Sequence, residues 1–320
     1  MIEINPANAR NWSRIGSRAS FGQAILAIAD TPNLLVLSAD LGDSSGLARF
    51  KAAHPEKFIN AGIAEQNMIG VAAGLAKEGY VVFATSFAPF LSMRASEQIR
   101  MNLGYMHLNV KVVAIGSGVS MAFLGNSHYG LEDAAIMRTI PDLAVVAPAD
   151  CTEIFKTVQA AAAYDGPMYI RLTGTPNNPV VNDRDYEFVI GKAITLREGR
   201  DITIISTGSM VHESLEAAKA LDTRGVSATV VNMHTLKPLD TAVIDKAIQD
   251  SRLIVTVEEH TVVGGLGGAV AEHKASVKGA PPQLIIGLPD QFGVTAEYRY
   301  LLEKHGLVGS KIADRIASAL

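Results

Sequence analysis

The amino-acid sequence predicts an α/β protein of two domains with mainly parallel sheets, and three observations support that prediction. Short apolar runs rich in Val, Ile and Leu alternate with longer helical patterns along the chain. These runs are continuously apolar, which is typical of strands buried on both faces. The length of 320 residues corresponds to about two domains of roughly 150 residues each.

The first half of the chain carries four predicted strands with helical patterns between them. The strands lie at residues 34–37, 81–84, 110–115 and 143–147, and the clearest helices at 64–77, 92–103 and 151–163. Pro32 and Asn33 precede the first strand and Gly42 follows it, which are residue types that end strands. This order predicts a parallel sheet covered by helices on both faces.

The alternation of predicted strands and helices stops at a segment with the composition of a linker. The stretch TGTPNNPVVNDRD, residues 173–185, carries two prolines and several Asn, Asp and Thr residues. Beyond it, strands are predicted at 202–206, 228–232, 253–257 and 284–287, and helices at 211–221, 240–249 and 268–276. We therefore expect one domain at residues 10–176, a linker at 177–186, and a smaller domain at 187–320.

Composition excludes several classes of function. The chain has a formal net charge of −4, with 48% hydrophobic and 19% charged residues. Nucleic-acid binding is disfavoured because it requires clustered Lys and Arg. No apolar run approaches the roughly 18 residues that cross a bilayer, so no membrane association is expected. The single cysteine, Cys151, cannot form an internal disulfide, and the polar N-terminus lacks a signal-peptide core. A cytoplasmic location is the expectation.

A glycine cluster and two histidines are candidates for binding or catalysis. The cluster Gly264–Gly268 has the wrong register for a dinucleotide site, so tight packing at a helix entrance is expected instead. His260 lies beside it and is expected to be structural. His128 follows the strand at 110–115 through a long loop. Because ligands collect at the carboxyl ends of parallel strands, His128 is the better candidate.

The segment around Glu65 is the most informative in the chain. Glu65 begins a helix whose next turns consist almost wholly of small or apolar residues. It could simply favour the positive end of the helix, or the helix could carry its carboxylate into a buried interface. Phe87 and Phe90 follow in TSFAPFL and could form a flat apolar floor. Spacing alone would equally make them core aromatics.

Four motifs together resemble the C-terminal half of transketolase, in order and over nearly the whole chain. They are GIAEQNM, ATSFAPFLSMRASEQIRM, SHYGLEDAAIMRTIPDLAVVAPAD and VEEHTVVGGLGGAVAE. The resemblance implies a pyrimidine-binding domain followed by a transketolase C-terminal domain. The family's Gly-Asp-Gly motif, which holds the metal and the diphosphate, does not occur in this sequence. The chain is therefore expected to be one subunit of a split, two-gene transketolase.

The resemblance implies thiamine diphosphate as the cofactor. Mg²⁺, or Ca²⁺, would be held mainly by an N-terminal partner subunit, in an α2β2 heterotetramer. Glu65 aligns with the glutamate that hydrogen-bonds N1′ of the aminopyrimidine. Phe87 and Phe90 match the aromatics that pack on that ring, and Met93 occupies the next position along the same wall.

The resemblance also assigns residues to the sugar substrate. His128 aligns with an active-site histidine that contacts substrate hydroxyls, and is thus a catalytic candidate with Glu65. Asp40 matches an aspartate that lines the cofactor and substrate cavity. Arg18 and Ser44 match an arginine and a serine that bind the sugar phosphate, for which the planar donors of arginine are suited.

The sequence departs from the family where the far end of the sugar binds. Gly174 aligns with a second phosphate-binding arginine, Gly116 with a histidine, and Leu124 with an aspartate. Arg171 is present, but in many relatives that position precedes the arginine that binds phosphate and does not replace it. We expect the two glycines to leave room for a different terminus, such as a sulfonated or branched sugar.

Two alternatives remain open on the sequence. One is the β-subunit of a 2-oxo acid dehydrogenase, which shares both domains and a segment like EQIR at residues 97–100. The order of residues in SHYGLEDAA favours the transketolase. The other is a non-catalytic member of the family, which loss of Glu65 or of the aromatic residues would have supported.

Overall fold

The computed structural model describes residues 3–320 and contains two sheets, both mostly parallel, with helices on their faces. The strands in chain order are β1 (Leu34–Ser38), β2 (Phe58–Asn60), β3 (Val81–Phe87), β4 (Val110–Ile115), β5 (Ala144–Val146), β6 (Met168–Arg171), β7 (Ile194–Arg197), β8 (Ile202–Ser206), β9 (Ala228–Asn232), β10 (Thr235–Lys237), β11 (Ile254–Thr261) and β12 (Gln283–Leu288). The predicted α/β class is confirmed.

The α-helices cover both sheets and differ widely in length. They are α1 (Pro6–Ala27), α2 (Ala48–Ala53), α3 (Glu65–Lys77), α4 (Ser96–Gln98), α5 (Asp133–Arg138), α6 (Cys151–Ala163), α7 (Met210–Asp222), α8 (Thr241–Asp250), α9 (Leu266–Lys274), α10 (Tyr298–Lys304) and α11 (Gly309–Ala319). Among residues 3–320, no helix combines the length and the apolar character needed to cross a membrane.

The first sheet has seven strands in the order β10-β5-β6-β4-β3-β1-β2, and the second has five in the order β12-β11-β8-β9-β7. Strand β10 comes from the second half of the chain and pairs antiparallel with β5 of the first. Strand β7 pairs antiparallel with β9, and the remaining pairs are parallel. The crossing of β10 means that the two halves of the chain share a sheet, which the sequence pattern did not predict.

Alternate residues of the first sheet enter two different cores, as the period of a strand requires. In β1, Leu35 and Leu37 pack with α3 in one core, and that core also contains residues from the second half of the chain. Leu34 and Val36 face the opposite core with α1 and α6. Burial on both faces explains why these strands are continuously apolar in sequence.

The helix predicted at residues 92–103 is not a single α-helix. Two π-helical segments, Phe90–Arg94 and Ile99–Tyr105, flank the short α4. π-Helical turns are rare in proteins, and those that occur are often found at functional sites. In the first of them the Arg94 guanidinium lies over the Phe90 ring, 4.3 Å from its centroid.

The segment predicted as a linker lacks regular structure but is packed against the body. Asp150, at the N-terminus of α6, accepts hydrogen bonds from the backbone N–H groups of Val181 and Asn182, both at 2.7 Å. Its other oxygen accepts from the N–H of Glu153 at 2.8 Å. Burial raises the pKa of the Asp150 carboxyl to about 6, and the three donors oppose that shift. One buried carboxylate therefore caps a helix and anchors the connection.

We predict that Asp150→Ala lowers the free energy of unfolding by about 2–3 kcal/mol. The substitution leaves three backbone N–H groups without an acceptor and removes a helix cap. Urea unfolding measures the change. Asp183→Ala is the control, because Asp183 is exposed on the same connection and should change stability by no more than about 0.5 kcal/mol. Equal effects of the two substitutions would contradict the anchoring role.

Candidate functional site

The predicted site residues converge on the carboxyl edge of the first sheet. Asp40 follows β1, Glu65 follows β2, Phe87 ends β3, and His128 lies in the connection after β4. Strands β2, β1, β3 and β4 are neighbours in that order, so their carboxyl ends are adjacent. Ligands of open parallel sheets bind at this edge.

Glu65 is buried and bears two hydrogen bonds. Its side chain is only 2% exposed, although it begins α3. The Ser86 hydroxyl donates to Oε1 at 3.0 Å, and the Arg94 guanidinium donates to Oε2 at 2.7 Å. Arg94 itself is about half exposed. The helix therefore carries the carboxylate into the interior, where an ion pair and a hydroxyl compensate its burial.

Three aromatic rings form a compact floor at the same edge. Phe87 and Phe90 meet edge to face at 5.8 Å between centroids, and His128 lies 5.4 Å from Phe87 and 5.3 Å from Phe90. Edge-to-face contact is a favourable geometry for such rings, but the interplanar angle of 83° between Phe87 and Phe90 means that the predicted floor is not flat. Met93 is 46% exposed and lies outside the packed cores, so its place in an aromatic wall stays a prediction.

His128 is oriented by its own loop. Its backbone N–H donates to the Gly125 carbonyl at 2.9 Å. The Ser127 hydroxyl lies 3.0 Å from the ring Nδ1. With Nδ1 engaged, Nε2 is the nitrogen left to contact a ligand.

Asp40 adopts a left-handed conformation with φ of +58°. Its carboxylate accepts a hydrogen bond at 2.9 Å from the amide of Asn60, and its own N–H donates to that side chain at 3.1 Å. The Asn60 oxygen also accepts from the Gly62 N–H at 3.0 Å. Asn60 thus joins the ends of β1 and β2 and fixes the exposed Asp40 at the site edge.

Arg18 and Ser44 line one cavity of about 220 Å³. Helix α1 is interrupted at Gly16, where φ is +83°, and resumes at Ser17. Backbone N–H groups at the start of a helical segment have no intrahelical acceptors and favour an anion. Asp43, Gly174 and two further hydroxyl residues, Ser17 and Thr175, lie in the same lining. The cavity lining therefore combines one arginine, three hydroxyl residues and a helix start with one acidic residue.

The prediction that Gly174 and Gly116 leave free space is wrong. At Gly174, where φ is +90°, an added Cβ would lie 2.6 Å from the Asn178 side-chain oxygen. At Gly116, where φ is +70°, it would lie 2.6 Å from the Met121 side chain. Both positions need glycine for backbone conformation and close packing. Asn178 and Met121 fill the volume that longer side chains would have taken.

Two more residues lie where the sequence departs from the family pattern, and neither lines the cavity that contains Arg18 and Ser44. Leu124 is 40% exposed on the loop that carries His128. Arg171 is fully buried and donates from Nε to both oxygens of Asp133 at 2.9 Å. It is therefore part of the core and unavailable to a substrate anion.

The glycine cluster at 264–268 is a packed helix entrance, as expected. The Glu258 carboxylate accepts from the N–H groups of Leu266 and Gly267, at 2.6 and 2.7 Å, where a dinucleotide phosphate would need to bind. Buried His260 accepts from the Ala135 N–H at 3.2 Å and lies 2.8 Å from the Thr261 carbonyl. Both of its ring nitrogens have structural partners.

Sequence reasoning missed Arg94, the ion-pair partner of Glu65. The available signal was a lone basic residue four positions after Phe90 in an otherwise apolar stretch. Within residues 3–320, no three His, Cys, Asp or Glu side chains are grouped as metal ligands.

Comparison with known proteins gives two family matches that together span most of the chain. Residues 13–175 match the transketolase pyrimidine-binding domain, and residues 191–312 match the transketolase C-terminal domain. A protein of Methanocaldococcus jannaschii named as a transketolase C-terminal section is 44% identical over 303 residues, which is 94% of this chain and 95% of the relative.

A second relative and a solved structure are also similar. The 6-deoxy-6-sulfo-D-fructose transketolase subunit SqwH of Clostridium sp. is 40% identical over 279 residues, covering 87% of this chain and 86% of the relative. A structure described as a split gene transketolase, inactive beta4 tetramer, superposes with a TM-score of 0.86 at 39% identity. It covers 96% of this chain and 98% of its own.

We predict that Arg94→Met lowers the free energy of unfolding by about 1–2 kcal/mol, because Glu65 keeps a buried charge with only Ser86 to compensate it. Methionine retains apolar contact with Phe90. In a Glu65→Gln background the same substitution should cost almost nothing, since no charge then needs a partner. Urea unfolding of the four variants measures the coupling.

Arg100→Met is the control for this cycle, because Arg100 is exposed on the following helical segment and, within residues 3–320, pairs with no carboxylate. It should change stability by no more than about 0.5 kcal/mol. An equal cost of Arg94→Met in both backgrounds would show that the ion pair does not stabilise Glu65.

Proposed function

This chain belongs to the transketolase family, and on that premise we propose that it is the C-terminal subunit of a split transketolase. Its partner is an N-terminal subunit that carries the diphosphate-binding domain, in an α2β2 assembly. Together they move a two-carbon ketol unit from a ketose to an aldose phosphate with thiamine diphosphate as cofactor. The observation that carries the proposal is the buried Glu65 carboxylate at the same sheet edge as the aromatic floor.

The residues at this edge fit an aminopyrimidine ring. A buried carboxylate can accept a hydrogen bond from a protonated ring nitrogen, and the Phe87 and Phe90 rings, which meet edge to face, offer apolar contact. Each carboxylate oxygen accepts more than one hydrogen bond, so Glu65 can keep Arg94 and Ser86 and still accept from the ring. When bound, thiamine diphosphate supplies the carbon nucleophile that takes up the two-carbon unit.

Each residue of the chain then has a defined task. Glu65 holds the shared proton at N1′, and Phe87 and Phe90 exclude water from the ring, with Met93 as the next contact along the wall. His128, whose ring joins the aromatic floor, contacts the hydroxyls of the sugar near the reacting carbon. Asp40, fixed by Asn60, lines the cavity that holds cofactor and substrate.

Exposed apolar residues on the segments that carry Glu65 and the π-helical turns are consistent with a partner subunit. Ile63 is 79% exposed just before Glu65, Met93 is 46% exposed beside Arg94, and Tyr105 is 81% exposed at the end of the second π-helical segment. We assign Mg²⁺, or Ca²⁺, and the diphosphate mainly to that partner. A chain with one buried cysteine suits the proposed location in the cytoplasm.

The names of the relatives favour ketol transfer over the 2-oxo acid dehydrogenase alternative. The presence of Glu65, the aromatic floor and His128 at one edge favours a catalytic role over the non-catalytic alternative.

The charge of the cavity that contains Arg18 and Ser44 favours a sugar terminus with less charge than a phosphate dianion. Arg18 and Asp43 are the basic and the acidic residue of its lining, and Asn178 lies where a side chain at position 174 would begin. A sulfonate is a monoanion and requires fewer cations than a phosphate near −2. The relative named as a 6-deoxy-6-sulfo-D-fructose transketolase subunit supports this choice. A branched sugar phosphate is the competing donor.

We predict that Glu65→Gln lowers kcat for ketol transfer by at least ~10²-fold in the assembled enzyme, because an amide cannot share the proton at N1′. The assay combines the chain with its partner, thiamine diphosphate and Mg²⁺, and offers ketoses and 2-oxo acids as alternative donors. Glu97→Gln, at an exposed position on the neighbouring segment, should retain full activity. A near-normal rate for Glu65→Gln would exclude the proposed role, and preference for 2-oxo acids would exclude ketol transfer.

We predict that a sulfonated ketose outcompetes xylulose 5-phosphate and fructose 6-phosphate by kcat/KM. Asp43→Asn should lower KM for the phosphorylated donors roughly two- to fivefold and for the sulfonated donor less, because removing a negative charge helps a dianion more than a monoanion. Preference of the unsubstituted enzyme for ordinary ketose phosphates, or an equal change in KM for both classes, would contradict the assignment. A preference for a branched sugar phosphate would do the same.

A further inference from the structure

The loop that carries His128 is closed at its neck by the chain itself. We define the His128 loop as residues 118–130. The N–H of Gly118 donates to the Gly130 carbonyl at 2.8 Å, and the N–H of Gly130 donates back to the Gly118 carbonyl at 3.0 Å. Inside the loop the Tyr129 hydroxyl donates to the Ala122 carbonyl at 2.6 Å. Two ends joined in this way, with packing inside, make a compact loop whose direction depends on its neck.

A carboxylate from the second half of the chain binds that neck. Glu259, on β11, is fully buried, and its Oε1 accepts from the N–H of Val119 at 2.8 Å. Its Oε2 accepts from the hydroxyls of Ser209 and of Tyr298, the latter at 2.6 Å. All three donors are thus directed at one side chain, and only Val119 belongs to the loop.

The approach is close enough to require glycine in the loop. An added Cβ at Gly118, where φ is +67°, would lie 2.2 Å from the Glu259 Oε1. The backbone of Glu259 contributes as well, because its carbonyl accepts from Arg171 at 2.7 Å while Arg171 also donates to the Gly130 carbonyl at 3.0 Å. Side chain and main chain of one residue therefore hold both ends of the His128 loop.

We infer that Glu259 is a positioning residue that holds the His128 ring against Phe87 and Phe90 by fixing the neck of the His128 loop. The inference rests on the proposed function only for its catalytic consequence, because the positioning is a property of the free chain. It gives residues 187–320 a role in the site, although they supply none of the residues in the aromatic floor.

Glutamine at position 259 should keep the contacts that Glu259 makes. Burial raises the pKa of the Glu259 carboxyl, and hydrogen bonds from Ser209 and Tyr298 oppose the shift. A glutamine has the same shape, can accept from Val119 through its oxygen, and can donate to the two hydroxyls, which also accept. Glutamine should therefore preserve the neck, and alanine should release it.

The test compares Glu259→Ala, Glu259→Gln and the unsubstituted full chain by NMR of ¹³Cε1-labelled histidines. In the Ala variant the His128 signal should move toward the shift of free histidine, and the Val119 amide should exchange at least ~10-fold faster. In the Gln variant both should stay near the unsubstituted values. Signals of His54 and His305 report whether the rest of the fold is intact.

Glu258→Ala is the matched control. Glu258 is equally buried on the same strand but binds the start of α9, so its loss should leave the His128 signal in place. If Glu259→Ala fails to fold, Gly118→Ala perturbs the same contact from the loop side with the glutamate retained. It should shift the His128 signal in the same direction.

In the assembled enzyme, Glu259→Ala should reduce kcat/KM for ketol transfer about 10- to 100-fold, Glu259→Gln should stay within about threefold, and the Kd for thiamine diphosphate should not change. An unchanged His128 signal and Val119 exchange in Glu259→Ala, or in Gly118→Ala, would overturn the inference and leave the proposed function standing. Full activity of His128→Ala would instead overturn the proposed role of His128, while the NMR result would still decide the role of Glu259.

Discussion

The buried guanidinium of Arg171 joins three parts of the chain on which the site depends. From β6 it donates to the Asp133 carboxylate of α5 at 2.9 Å, to the Gly130 carbonyl at 3.0 Å and to the Glu259 carbonyl of β11 at 2.7 Å. A guanidinium removed from water must have its donors satisfied and its charge paired. By meeting that requirement, these acceptors fix a helix, the His128 loop and the second sheet relative to one another.

The edge that results brings together the groups on which the proposed function rests. A buried carboxylate, an aromatic floor and a cavity with one arginine lie along neighbouring strand ends. Exposed Ile63 and Tyr105 lie on the same half of the chain. In the proposed function, the diphosphate and its metal are assigned mainly to the partner subunit.

The sequence predicted four strands of the first sheet, β1, β3, β4 and β5, because strands buried on both faces must be continuously apolar. It missed β2 and β6, which are short. It also predicted Glu65 and the aromatic pair as a group. It did not predict β10, Arg94 or Glu259, since each acts through contacts with residues distant in the chain. The expected space at Gly116 and Gly174 was wrong for the same reason: Met121 and Asn178 fill it from other turns. Sequence gives the residue types at an edge, whereas packing decides which atoms meet.

The most direct test of the central claim is a structure of the chain assembled with its partner and thiamine diphosphate. We expect N1′ of the aminopyrimidine within hydrogen-bond distance of a Glu65 oxygen, about 2.7–3.0 Å. We also expect Phe87 or Phe90 to pack on the ring, with the diphosphate held by the partner. An aminopyrimidine bound elsewhere, or a Glu65 still enclosed by Arg94 and Ser86 with no contact to the ring, would contradict it.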